Sequence, residues 1–198
     1  MKKESFEKIC GKNNIILSAP HCVLHTREKC VRPRETKTGV LVKTLSKKCD
    51  INGIYKIKNE DNDANWDKVC EYKRELVKIV RKDKIKALID LHGMAAWRNE
   101  DICIGTNFGK NICGHEDILQ EMIKIFNRFG FKNVSIDIPF SAQYPYCVST
   151  YVAKKCQIPT FQIEINLKYR SGIYKEFKMY SKLESALEEI IIKMNEKI

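Results

Sequence analysis

Apolar and polar residues alternate through TFQIEIN (160–166). Phe161, Ile163 and Ile165 fall on one side of an extended backbone, and Gln162, Glu164 and Asn166 on the other. Similar patterning predicts short apolar strands at NIILSAP (14–20), KALIDLHG (86–93), DICIGT (101–106) and VSIDIPF (134–140), and an alternating strand at GIYKIKN (53–59). Helical stretches lie between them. TKTGVLVKTLSKKC (36–49) follows an irregular basic segment. NDANWDKVCEYKRELVKIVRKDK (62–84) opens with turn and cap residues, then carries Val69, Tyr72, Leu76, Ile79 and Val80 at a helical period. EDILQEMIKIFNRFG (116–130) stops at Gly130, and YSKLESALEEIIIKMNEKI (180–198) is a terminal helix. Strands alternating with helices predict a three-layer α/β sandwich, with a mixed, mostly parallel sheet flanked by helices, and residues 1–198 as one domain. Ligands in such folds gather at the carboxyl ends of strands. His21, His92 and Glu164 all lie near predicted strand ends and so become the residues of interest.

Composition narrows the function classes. With 198 residues and 43% hydrophobic content the chain can bury one good core. No apolar run approaches the roughly 18 residues needed to span a bilayer, and MKKESFEKIC lacks the apolar core of an export signal. The expectation is a cytoplasmic protein without a membrane partner. The nine cysteines are odd in number and form no CxxC pair, which argues against a disulfide framework or a zinc ribbon. Cys22, beside His21, is the first thiol to test as a nucleophile. The net charge of +11 invites a nucleic-acid reading, but 28 of the 36 basic residues are lysines scattered one to three at a time. A dedicated binder clusters arginine with stacking aromatics, so no specific nucleic-acid partner is expected.

The polar residues at the strand ends suggest a chemistry. SAPH places His21 just past a strand, RPRETKTG offers Glu35 at a helix start, and IDLHG ends its strand with His92, with Asp90 on the same side. Two imidazoles and one carboxylate form the ligand set of many catalytic zinc sites and leave a position open. Glu164 on its strand would serve as the general base that the attacking water still needs. His25, four residues after His21, is a rival ligand should HCVLH be helical. Asp90 would orient His92 from behind, and Gln162 would flank Glu164. Read singly, each residue also has a bland explanation: a satisfied imidazole, a charge at a helix N-terminus, a partner for a nearby cation.

These residues carry a resemblance. APH after a strand, RETKTG, DLHG and above all QIEINLKYR resemble the N-formylglutamate amidohydrolase family, part of the wider zinc-carboxypeptidase and aspartoacylase-like group of hydrolases. The likeness runs from about Ile15 to Arg170. It implies a zinc-carboxypeptidase-like fold and one Zn2+ per chain, or another divalent metal, held by His21, Glu35 and His92. It implies Glu164 as the base that activates water and passes the proton to the leaving amine. The implied reaction is hydrolysis of a C–N amide bond in a small N-acyl amino acid or peptide-like substrate. One stretch departs from the family. In DANWD, Asp63 and Asn65 are kept, but Trp66 stands where the family has an arginine that grips the substrate carboxylate, and indole cannot replace guanidinium there. Asn65 and Trp66 remain substrate-contact candidates, with Arg34, Arg98 or Arg170 as replacement cations, or with a substrate ring stacked on Trp66. Two alternatives stay open: a carboxypeptidase-type metallopeptidase acting on peptides or cell-wall fragments, and a non-catalytic ligand-binding relative.

Overall fold

The central strands are apolar on both faces, as strands covered by helices on each side must be. In the computed structural model, which describes residues 4–171 and 174–198, they form a seven-stranded sheet. Its strands are β1 (Phe6–Ile9), β2 (Asn13–Ala19), β5 (Ile51–Lys56), β6 (Ala87–Met94), β7 (Ile102–Gly105), β8 (Val134–Ile136) and β9 (Thr160–Asn166), in the order β1-β5-β2-β6-β9-β7-β8. Pairing is parallel from β5 through β2 and β6 to β9, while β1 runs antiparallel to β5 and β7 antiparallel to β9. A hairpin of β3 (His25–Arg27) and β4 (Cys30–Arg32) stands apart as a second sheet.

Five helices complete the layers: α1 (Thr38–Lys48), α2 (Glu71–Lys82), α3 (Glu116–Arg128), α4 (Val148–Cys156) and α5 (Tyr174–Lys197). Leu17, Ile89, Ile163 and Ile165 point into the larger core, beneath α1, α3 and α5. Ile16, Ile54 and Leu88 point the other way, into a smaller core with α2 and α4. On that second face the strands turn polar toward their carboxyl ends, from Leu88 to Asp90 and His92 and from Thr160 to Gln162 and Glu164. This polar end gathers the candidate site residues. No helix among the described residues is long and apolar enough to cross a membrane.

The architecture is the expected mixed α/β sandwich, with local corrections. The helix expected over 62–84 is helical only from Glu71 to Lys82. Upstream, the Asp63 carboxylate accepts from the Asn65 amide and the Asp67 carboxylate from the Asp63 amide, so side chains take the backbone donors a helix would use. Val69 lies outside the helix and is exposed. The strand expected at 53–59 begins at Ile51, ends at Lys56 and is buried on both faces. The strand expected at 134–140 stops at Ile136, because Asp137 takes a left-handed backbone (φ 59°) and Pro139 follows. β1, the β3–β4 hairpin and α4 had no counterpart in the expected elements.

Candidate active site

Parallel pairing of β2, β6 and β9 brings their carboxyl ends to one edge of the sheet. His21 follows the end of β2, while His92 and Glu164 are direct register partners on β6 and β9. Glu35 reaches them from a loop pinned to the first strand end: its amide donates to the His21 carbonyl (2.8 Å), and its own carbonyl accepts from the Thr38 hydroxyl (2.8 Å) as α1 begins.

The two imidazoles address Glu35 through the same ring atom. His21 Nδ1 lies 3.0 Å from Glu35 Oε1, and His92 Nδ1 lies 3.1 Å from Oε2, which also accepts from the Gly93 amide (3.0 Å). Each ring is backed on its far nitrogen. His21 Nε2 meets Asp63 Oδ1 at 2.7 Å, and His92 Nε2 meets Asp90 Oδ2 at 3.1 Å and the Asn65 amide nitrogen at 3.0 Å. Asp63 and Asp90 are fully buried. Burial disfavours charge on all these groups, but the mutual attractions prevail: both imidazoles are raised above their ordinary values, and Glu35 and Asp63 are held below theirs.

This donor set fits a divalent metal. Ligand atoms of His21, Glu35 and His92 lie within 4.8 Å of one another. An imidazole whose far N–H is held by a carboxylate presents a lone pair on the near nitrogen, and a carboxylate already faces both. His21, His25 and Asp63 also bring ligand atoms within 4.8 Å of one another, but they share His21 with the first group. His25 is not helical with His21. It starts β3, its ring stacks on that of His21 (centroids 3.8 Å apart), and burial with the neighbouring His21 lowers it to about 4.

Glu164 faces the same space. Gln162 donates to its Oε1 (3.1 Å), and burial pushes its carboxyl up to about 7, against the pull of His92 and with Glu35 repelling. The strand face that pairs Gln162 with Glu164 therefore continues at Asn166 only in part. Asn166 turns its amide to the carbonyls of Arg98 and Glu100 and accepts from the Lys168 amide, capping the 3-10 turn that follows β9.

A cleft of about 800 Å³ opens above these residues, lined by His21, Glu35, His92 and Glu164 together with Trp66, Tyr144 and four arginines, Arg27, Arg32, Arg34 and Arg170. Arg98 is not among its lining residues; it lies over Trp97 and Phe140. Arg170 is buried beneath Gly93, donating to the carbonyls of Ile165, Thr36 and Met94, so it ties β6 and β9 to the loop that carries Glu35. Asn65 is held through its carbonyl oxygen, which accepts from the Val148 amide (2.8 Å), while its amide nitrogen abuts the His92 ring. Trp66 stacks on Tyr144 (4.6 Å) with the Arg27 guanidinium 5.0 Å from its ring, so its aromatic surface is already engaged. The Cys22 thiol donates to the Lys56 carbonyl, and burial raises it to about 12, far from a reactive thiolate.

Sequence reasoning named Asp63 without a role and passed over Arg27, whose Nε donates to Asp63 Oδ2 at 2.7 Å. The irregular 62–70 segment and the short hairpin have no periodicity from which to place them. The DANWD match to a family motif was the one available signal.

Known structures share this arrangement of layers. A bacteriophage poly-gamma-glutamate hydrolase is similar with a TM-score of 0.64 and 13% identity, over 100% of this chain and 93% of its own. The fold is metallo-carboxypeptidase-like. A succinylglutamate desuccinylase from Vibrio parahaemolyticus is similar over 95% of this chain and 71% of its own (TM-score 0.55, 14% identity). A metallo-carboxypeptidase from Burkholderia cenocepacia is similar over 94% of this chain, which spans 59% of that protein (TM-score 0.56, 10% identity). No protein-family model matches the chain, and no curated protein matches it either.

Proposed function

We propose that the protein is a metal-dependent amidohydrolase that cleaves a C–N amide bond in a small N-acyl amino acid. One observation carries this reading: two buried imidazoles turn the same ring nitrogen onto the two oxygens of one carboxylate, each backed by a buried aspartate. Three protein ligands with an open position is the arrangement of catalytic zinc sites. Zinc held by His21, Glu35 and His92 would supply a Lewis acid that polarises the amide carbonyl and lowers the pKa of an attacking water.

The chain's own residues do the rest. Asp63 and Asp90 keep the Nε2 protons in place, so that both Nδ1 lone pairs would be free to hold the ion. Glu164 accepts the proton as water adds to the carbonyl carbon, and returns it to the nitrogen as the C–N bond breaks. Burial, which disfavours its anion, makes the Glu164 carboxylate a ready proton acceptor. Gln162 occupies one carboxylate oxygen of Glu164 and leaves the other to carry that proton. Arg34 stands exposed at the cleft with Arg32, while the guanidinium of Arg170 serves main-chain carbonyls. A substrate carboxylate is therefore assigned to the arginines of the 27–34 segment.

N-formylglutamate is the specific substrate suggested by sequence motifs, with Trp66 in place of the expected arginine as the feature against it. A second reading, a metallopeptidase acting on peptides or cell-wall fragments, draws support from the size of the cleft, which exceeds what a formylated amino acid would fill.

Protein purified without chelator is expected to hold about one zinc per chain, and chelation should abolish amide hydrolysis. Glu164→Gln should retain the metal while lowering kcat by about two to four decades on a panel of formyl-, acetyl- and peptidyl-amino acids. Metal-free protein with undiminished activity, or a Gln variant at wild-type rate, would overturn the assignment.

A further inference from the structure

Two chain segments that line the cleft, 65–70 and 143–147, also line a second groove of about 450 Å³. Trp66 stacks on Tyr144, Tyr144 meets Tyr146 edge-on at 5.5 Å, and Tyr146 lines the second groove, so an aromatic run connects the two depressions. The groove is cationic: Lys68, Arg74, Lys154 and Lys155 line it with Tyr146 and Tyr151, and no acidic residue does. None of those four cations forms an ion pair among the described residues.

A fifth cation lies beneath. Lys73 is completely buried, and its ammonium donates only to main-chain carbonyls, those of Asp67 (2.6 Å) and Tyr146. It lies 5.1 Å from the ring centroid of Tyr151, which lines the groove. Carbonyls solvate an ammonium but do not cancel its charge, and Lys73 forms no ion pair with a carboxylate among the described residues. Four cations line one concavity with no acidic residue among them, so the groove favours a polyanion through all four at once. Three of the four lining cations are lysines, compact point charges that suit carboxylates spaced along a chain better than the planar, bidentate capture of phosphate.

We infer that this groove is an exosite for a carboxylate-rich polyamide chain, holding the substrate beyond the bond placed in the neighbouring cleft. The choice of occupant rests on the metal-dependent amide hydrolysis proposed above, in its second form acting on peptide-like chains; the electropositive groove does not.

Binding of fluorescently labelled poly-L-glutamate, followed by anisotropy on the full chain carrying Glu164→Gln, tests it. Adding Lys154→Glu and Lys155→Glu should weaken binding by about tenfold or more, and should flatten its dependence on salt. Lys68→Glu with Arg74→Glu, on the other segments lining the groove, should do the same. In the otherwise wild-type chain, both pairs should leave hydrolysis of a small N-acyl amino acid unchanged. Polyglutamate that fails to bind at low salt, or binds both charge-reversed pairs as well as the parent, overturns the exosite. So does an oligonucleotide of equal charge that binds more tightly than polyglutamate. Should neither an N-acyl amino acid nor a peptide be hydrolysed while charge reversal still abolishes polyglutamate binding, the amidohydrolase reading falls, and with it the exosite, leaving an anion-binding groove.

Discussion

Glu164 shows how a single buried carboxylate couples chemistry to stability. Its carboxyl titrates at about 7 in the metal-free fold, against an ordinary 4.5, because burial penalises the anion. Between those values the folded state binds more protons than the unfolded one, so stability falls as pH rises through the window and levels off above it. Glu164→Gln removes the anion without changing shape. With chelator present, urea unfolding should find this variant more stable than wild type by about 3 kcal/mol at pH 8, with the difference vanishing near pH 4. A difference independent of pH would show that Glu164 is not the group responsible. Asp63 acts at the same scale. Asp63→Asn removes the charge and leaves a single acceptor oxygen for His21 and Arg27 together, and should weaken zinc binding by about 10- to 100-fold in a competition titration. Of these two residues, Glu164 was legible from alternation along one strand. The contact of Asp63 with His21, 42 positions away, was not, because no local pattern encodes it.

At the scale of elements, the end of β6 depends on a missing side chain. A Cβ on Gly93 would fall within the Arg170 guanidinium, and the Gly93 amide also holds Glu35. Gly93→Ala should destabilise the fold by about 1–3 kcal/mol through overpacking. In a double-mutant cycle with Arg170→Ala, the two changes should be clearly non-additive in urea unfolding, whereas additivity would deny the contact. Elements with long, regular periods, such as α3 and the terminal helix α5, were readable from sequence. α2 was readable only after Cys70, since turns made by Asp63 and Asp67 compete with the helix for the preceding residues. The β3–β4 hairpin has three-residue strands, too short to show an alternation, yet it delivers Arg27 and the His25 ring that packs on His21.

Over the whole molecule, the proposed ligands come from three separate segments: the end of β2, the loop before α1, and the end of β6. An ion that binds all three binds only the folded chain. Zinc at 100 to 1,000 times its Kd should therefore raise unfolding free energy by about 3–4 kcal/mol, with the urea midpoint rising and the m-value unchanged. His92→Ala should abolish that gain; a zinc-induced gain retained in this variant would place the metal elsewhere. The sequence alone determined the alternation of strands and helices, the polar ends of the strands at His21, His92 and Glu164, and the candidate chemistry of their side chains, because periodicity and residue type are local properties. Tertiary structure decided the rest: the sheet order that sets His92 beside Glu164, the aspartates behind the imidazoles, the arginines that line the cleft and the cationic groove beyond it. Those features depend on which distant segments meet, and that is set by packing and strand register, which no single stretch of the chain contains.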